Sequence, residues 1–432
     1  MKDTLHLLKT KRFLPLFITQ FMGAFNDNAF KNAFLIWFTY DIAKQTGADA
    51  NFVVTLAAGL FILPFFLFSA TAGQVADKYE KSWLTQKIKQ VEIILMIGCA
   101  VFFYLKSVEG LMVILFFMGV QSTFFGPIKY SLLPEHLKED ELISGNGLIE
   151  GGTFLSILLG TIFGGLIIRT TYGVGLLSAF VILFAVIGWF SARYIPTATI
   201  GDKNLKVSWN IIAQTWKIIG YARQERTVWL SIIGISWFWF VGVTFLTQFP
   251  IYTKNIIGGN EHVVTLFLAV FSIGVGIGSV LCNKLLKGQI NGKLVPMGAA
   301  GMTVSIFLFA YASGLYTNLS TEISIMEFLS SGIAAWLIIL DLLMLSVFSG
   351  IYIVPLYTIM QHRSDNKHIS RIIAANNVIN AFFMVIASIY AILIFEQGFN
   401  VVELLLSVGL LSIPVFFMVR QIVKRRLGNE TS

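Results

Sequence analysis

Residues 73–81 read GQVADKYEK. The stretch closes an apolar run (52–73) and sets an acid, Asp77, beside Lys78 and Lys81 where the chain leaves that run. Residues 279–287, SVLCNKLLK, close another apolar run far downstream, and Asn283-Lys284-x-x-Lys287 lies under Asp77-Lys78-x-x-Lys81. A second pair of stretches repeats in the same order. GPIKYSLLPEH (126–136) and the downstream Asn146-Gly147-Leu148-Ile149 parallel IVPLYTIMQHR (353–363) and the downstream Asn376-Asn377-Val378-Ile379. The chain reads as one unit written twice.

What kind of unit follows from composition. Of 432 residues, 56% are hydrophobic and only 12% charged, and the mean hydropathy is +0.77. A soluble domain of this size carries about a quarter charged residues. A bilayer-spanning helix needs roughly 20 mostly apolar residues. Such runs fall at 13–40, 52–73, 88–106, 110–133, 144–169, 173–195, 228–252, 262–285, 294–313, 333–360, 371–396 and 400–422, which makes twelve. Lysine and arginine placement tests that count. With the N-terminus inside, 25 of the 31 basic residues fall on the inner side, and only Lys44, Lys106, Arg169 and Lys254 on the outer. That asymmetry is the one the positive-inside rule requires of an even-numbered bundle with both termini inside. It also accounts for the net charge of +8, which is a topology signal and not a nucleic-acid footprint. The basic N-terminus leads straight into a first span too long for a signal peptide, so that span is expected to be retained. Cys99 and Cys282 form no CxxC, and the five histidines have no metal-ligand spacing, so neither metal nor cofactor is expected.

The chain thus divides into a bundle at 1–195, a basic linker at 196–227 and a second bundle at 228–432. Within the linker, SWNIIAQTWKIIGYA (208–222) is amphipathic and suited to lie on the membrane surface. Twelve spans in two six-helix halves, with GQVADKYEK after the second span, resemble the major facilitator superfamily. The resemblance implies an all-α membrane fold with pseudo-two-fold symmetry and substrate between the halves. Asp77, with Gly73, Lys78 and Lys81, is then expected to meet the positive N-terminal end of the eleventh span, near Arg371, and to latch the inner side closed.

Residues 20–34, QFMGAFNDNAFKNAF, sit inside the first span. A charge at the bilayer centre costs about 2.5–3.5 kcal/mol on insertion scales, so these residues are expected to face a cavity. Gln20, Ala24, Asp27 and Lys31 share one helical face, with Asn28 beside it. Asp27 and Lys31 are spaced i,i+4. They form an ion pair or serve a cationic headgroup, a proton or a sodium ion. Lys129 in the fourth span, with Glu150 in the fifth as its partner, is the complementary site for an anion, set against simple snorkelling. Trp237, Phe238, Trp239 and Phe240 offer an apolar lining in the seventh span, set against ordinary packing. Asp341 is a further intramembrane acid without a motif.

Several blocks resemble the bacterial lysophospholipid transporter branch of the superfamily: TQFMGAFNDNAFKNA, AGQVADKYEK, FFGPIKYSLLPE, NGLIEGGTFLSILLG and GIYIVPLYTIMQHR. The SWFWFVG stretch looks more like the transporter domain of relatives fused to acyltransferase and acyl-ACP synthetase domains. The resemblance implies a monomeric inner-membrane flippase that brings lysophospholipids from the outer to the inner leaflet, with an acyltransferase/acyl-ACP synthetase as partner. It also implies that Asp27 and Lys129 serve the polar cavity. Where that branch has a basic residue in the seventh span, this chain has Leu246. The rival expectation is a proton- or sodium-coupled exporter or importer of another small amphipath, such as a drug or siderophore. An enzyme is not expected: His136 is separated from Glu141, not Asp140, by the four residues an acyltransferase dyad needs.

Overall fold

The computed structural model describes residues 4–43, 50–317, 322–365 and 367–429. Lys2 and Lys44 of the charge count lie outside them. A 3-10 turn, Thr4–Lys9, leads into fourteen α-helices among the described residues. The first six are α1 (Leu14–Trp37), α2 (Ala50–Lys78), α3 (Lys81–Tyr104), α4 (Val108–His136), α5 (Leu142–Ile168) and α6 (Gly173–Ala192). A short α7 (Ile211–Gln224) lies in the linker. Then come α8 (Arg226–Tyr252), α9 (Glu261–Leu286), α10 (Leu294–Leu315), the single turn α11 (Ile325–Ser330), α12 (Ile333–Arg363), α13 (Ile369–Glu396) and α14 (Val401–Asn429). Apart from α7 and α11, these are the twelve expected spans.

Ten of the twelve are apolar and long enough to cross a membrane among the described residues. The two that fall short are α1 and α3, which carry Asp27, Lys31, Lys89 and Glu92 near their middles. Capping side chains start several helices where the chain turns. Glu80 accepts from the Ser82 and Trp83 amides at α3, Ser107 from Gly110 at α4, and Asn260 from His262 at α9. Each satisfies backbone donors that the first turn leaves open. Because Glu80 starts it, α3 begins seven residues before the expected run at 88–106. That overturns one assignment. Lys89, one of the 25 basic residues tallied on the inner side although it falls within that run, is 0% exposed inside the bundle.

The helices pack in a pattern that repeats. In the first half α1 lies on α5 and α6, α2 on α4, and α3 on α4 and α6. In the second, α8 lies on α13 and α14, α9 on α12, and α10 on α12 and α14. This is the same set of neighbours, six spans on. The halves meet through α2 with α13, α5 with α9, α4 with α13, and α5 with α12. No comparable packing joins α1 to α8 among the described residues. The contacts between halves gather toward the end of the bundle that carries both described termini, hereafter the basic end. At that end an added Cβ on Gly73 of α2 would lie 2.7 Å from Ala374 Cβ and 2.9 Å from Arg371 Cα of α13. Only glycine lets the two backbones come so close. The bundle is therefore shut at the basic end, where α2 and α13 close on each other.

Candidate functional site

Three tiers close the basic end. Outermost, Asp77 is 0% exposed and accepts from the Ser370 amide at 3.2 Å and from Arg371 Nε at 2.7 Å. Arg371 also donates to the Lys367 carbonyl, and its guanidinium lies 5.3 Å from the Tyr221 ring of α7. Next, Asn146 of α5 and Gln361 of α12 exchange amide hydrogen bonds at 2.6 and 3.0 Å, and Gln361 donates to the Tyr130 carbonyl at 3.1 Å. Innermost, the rings of Tyr130 (α4) and Tyr357 (α12) stack 4.5 Å apart and 5° from parallel. Of the residues assigned to this latch, Lys81 is buried and pairs with Glu135 at 2.5 Å within its own half. Lys78 lies over the Tyr79 ring and pairs with no acid of the other half among the described residues.

Above the tyrosines lies a polar cluster on α1, α3 and α4. Asp27 stands 13 residues into α1, ~20 Å from its start at ~1.5 Å per residue. Ser122 of α4 donates to Asp27 Oδ2 at 2.7 Å. Lys31 extends instead over the Phe61 ring of α2, 5.4 Å from its centroid. The ion pair that their i,i+4 spacing allows does not form among the described residues. Asp27, Asn28 and Lys31 keep partial exposure. Asn28 donates to the Ala24 carbonyl of its own helix. Gln20, expected on the same open face, is 2% exposed and accepts from Thr153 of α5, so it packs between helices.

Lys129 lies on the Ser122 face of α4, seven residues on, with its ammonium 4.6 Å from the Tyr130 ring centroid. The expected Lys129–Glu150 ion pair does not form among the described residues: Glu150 is 1% exposed and accepts from the Tyr130 hydroxyl. On α8 the two tryptophans divide. Trp237 is 8% exposed, stacks on Phe240 at 4.8 Å and donates to Ser412 of α14, so it belongs to the core of the second half and not to a lining. Trp239 meets Phe154 of the first half and approaches the Tyr357 hydroxyl at 3.5 Å. From it a stripe of half-buried apolar residues continues at i+4 and i+7, Val243 and Leu246. The half-buried charges thus lie on α1 and α4 of the first half, and the half-buried apolar stripe on α8 of the second.

Sequence reasoning missed the cluster of Lys89, Glu92, Gln121 and Ser122, as well as Tyr130 and Tyr357. The signal for the first group was present. Lys89 and Glu92 are an i,i+3 pair on a helix otherwise apolar for most of its length. The tyrosine pair had none, since nothing in their separate stretches says that they touch. The hinted enzyme dyad is also absent: Arg12 holds Glu141 with two hydrogen bonds of 2.6 Å.

Comparison with known proteins agrees with this architecture. The chain is 26% identical over 378 residues to the lysophospholipid transporter LplT of Klebsiella pneumoniae subsp. pneumoniae, covering 85% of each. It is 24% identical over 375 residues to LplT of Escherichia fergusonii, again covering 85% of each. Among solved structures, the human organic anion transporter MFSD10 superposes with a TM-score of 0.74 at 11% identity, over 95% of this chain and 99% of that one. The transporter FucP in its outward conformation superposes with a TM-score of 0.71 at 10% identity, over 95% and 99%. The sequence profile of the Major Facilitator Superfamily matches residues 16–388, most of the chain, and this protein is a member of that superfamily.

Proposed function

We propose that this transporter moves lysophospholipids from the outer to the inner leaflet of a bacterial inner membrane, where an acyltransferase/acyl-ACP synthetase reacylates them. One observation carries the reading: half-buried charges on one half and a half-buried apolar stripe on the other match an amphipathic cargo. On the first half Asp27 has one carboxylate oxygen tied to Ser122, while Lys31 and Lys129 lie over aromatic rings with no carboxylate partner among the described residues. A zwitterionic headgroup offers an ammonium to Asp27 and a phosphate to Lys31, one helical turn away, and charge-assisted pairs are the strong ones. Lys129, ~10 Å along α4 toward the basic end, is the next ammonium the phosphate meets. The second-half stripe of Trp239, Val243 and Leu246 suits an acyl chain. The likeness to the LplT proteins supports the same cargo.

In this reading both termini are cytoplasmic, as the lysine and arginine asymmetry supports, and the structure is outward-open. Residues 1–195 and 228–432 rock as two bodies joined by 196–227, in a protein that works as a monomer. Asp77, Gly73 and Arg371 form the latch that must part before cargo leaves inward. Reacylation removes the product and pulls transport forward without an ion gradient.

The test is uptake of labelled lysophosphatidylethanolamine by spheroplasts that lack their own lysolipid transporter and express this chain, with and without an uncoupler. Uptake that survives the uncoupler is expected. Uptake abolished by it favours a proton-coupled carrier of amphipaths, and no uptake above an empty vector rejects lysolipid as cargo.

A further inference from the structure

One feature of the bundle has no part in the cargo contacts above. Lys89 and Glu92 of α3 form an ion pair of 2.5 Å with side chains 0% and 3% exposed. Apolar side chains of similar size hold helices together at least as well as a buried ion pair, so adhesion alone does not account for it. Its surroundings are built around it. Gly23 of α1 leaves the space that the Lys89 ammonium fills, and an added Cβ there would strike that nitrogen. The ammonium also lies 4.9 Å from the Phe125 ring centroid of α4. Glu92 accepts from three side chains on three helices: Lys89, Asn26 of α1 at 3.1 Å and Gln121 of α4 at 3.0 Å.

From Glu92 the contacts lead to the cavity. Because its amide nitrogen is drawn to the Glu92 carboxylate, Gln121 turns its oxygen to the Ser122 hydroxyl, 3.2 Å away. That hydroxyl stands between two acceptors, and Asp27 Oδ2, at 2.7 Å, is the nearer. A carboxylate accepts about four hydrogen bonds when satisfied. Asp27 receives this one, and its Oδ1 has no partner among the described residues. Lys89 balances Glu92, and the Ser122 hydroxyl, whose single proton goes to the nearer acceptor, ties Asp27 in place without cancelling its charge.

We propose that Ser122, beside the Lys89–Glu92–Gln121 cluster, is a positioning residue that aims Asp27 Oδ1 into the cavity and so sets selectivity for cargo bearing a cationic headgroup. This rests on the reading of Asp27 as a cavity group. The Ser122 side chain does not touch cargo; it acts through Asp27.

The experiment compares saturation of uptake for two lysolipids that share an acyl chain and a phosphate: one with ethanolamine, one with uncharged glycerol. Ser122→Ala removes the donor. It is expected to raise the half-saturating concentration for the ethanolamine lipid by about three- to tenfold, the range of one ordinary hydrogen bond. The glycerol lipid should stay within about twofold. Ser122→Thr, which keeps a hydroxyl, is expected to restore discrimination, which a packing role would not produce. Equal shifts for both lipids, or none for either, overturn the proposal. Asp27→Asn is the reference. If it separates the lipids and Ser122→Ala does not, the positioning role alone falls. If Asp27→Asn leaves them unseparated, the cavity reading falls and the proposal with it.

Discussion

Asp27 shows what a single residue discloses and what it conceals. Its position in an apolar run says that something inside the bundle needs a carboxylate, because the membrane penalises one without a use. Its partner is another matter. The nearest candidate in sequence, Lys31, is one turn away, yet the carboxylate bonds to Ser122, which is 95 residues distant in the chain. Two expectations follow at this scale. Asp27→Asn should insert and accumulate normally, since neutralising a membrane charge removes a cost, while lysophosphatidylethanolamine uptake falls at least tenfold; normal uptake would remove Asp27 from the cavity role. Gly23→Ala should perturb transport without touching cargo, because its methyl displaces the Lys89 ammonium. Destabilisation of about 1–3 kcal/mol is the range for overpacking, read as a lowered melting temperature in detergent.

At the scale of elements, the linker is the instructive case. Its amphipathic stretch is legible in sequence and forms α7, with Trp209, Ile212 and Trp216 exposed at 71%, 74% and 67%. What precedes it was not legible: residues 198–208 are stitched to the first half. The Ala198 amide donates to Glu80 at 2.8 Å, Thr199 donates to Glu135, Asp202 donates to the Asp77 carbonyl, and Ser208 exchanges hydrogen bonds with Gln74. Each is a polar group finding a partner far away in the chain, and no local pattern encodes that. Burial alone would raise the Glu80 carboxyl, but donation by the Ala198, Ser82 and Trp83 amides and the Ser82 hydroxyl holds it below its ordinary 4.5. A carboxylate so depressed contributes its stability above pH 4.5 and loses it as pH falls through the lower folded value. Hydrogen exchange across 196–210, corrected for an intrinsic rate that itself falls with pH, should therefore stay slow at neutral pH and accelerate once the pH drops below 4.5. Glu80→Gln should accelerate it at neutral pH and open Lys203 and Lys206, both exposed, to trypsin. Unchanged protection in that variant would mean that the linker docks without the carboxylate.

For the whole molecule, the question is which end is shut. The Asp77–Arg371 pair is almost fully removed from solvent, and breaking a buried pair by removing one partner costs about 3–5 kcal/mol because it strands the other charge. Asp77→Asn should thus shift the molecule away from the arrangement seen here. A cysteine placed on the α1–α8 side is expected to lose reactivity toward an impermeant thiol reagent, and transport should drop without loss of folded protein. The Asp77→Asn, Arg371→Gln double variant should recover part of that loss, since no charge is then left stranded. Additive losses would place the two residues in separate roles.

The sequence by itself determined the number of spans and the duplication. A bilayer imposes a length and an apolarity on every crossing segment and demands that backbone hydrogen bonds be satisfied within it, so those features are written locally. The GQVADKYEK stretch and its echo carry the symmetry for the same reason: each is read without knowing its neighbours. Only the tertiary structure decided who meets whom. It put Lys89 inside the bundle, moved Trp237 into the core, freed Lys31 from Asp27 and brought Tyr130 onto Tyr357. These are meetings between helices far apart in the chain, set by which faces pack and how closely glycines let them approach, and no local rule of composition or period specifies them.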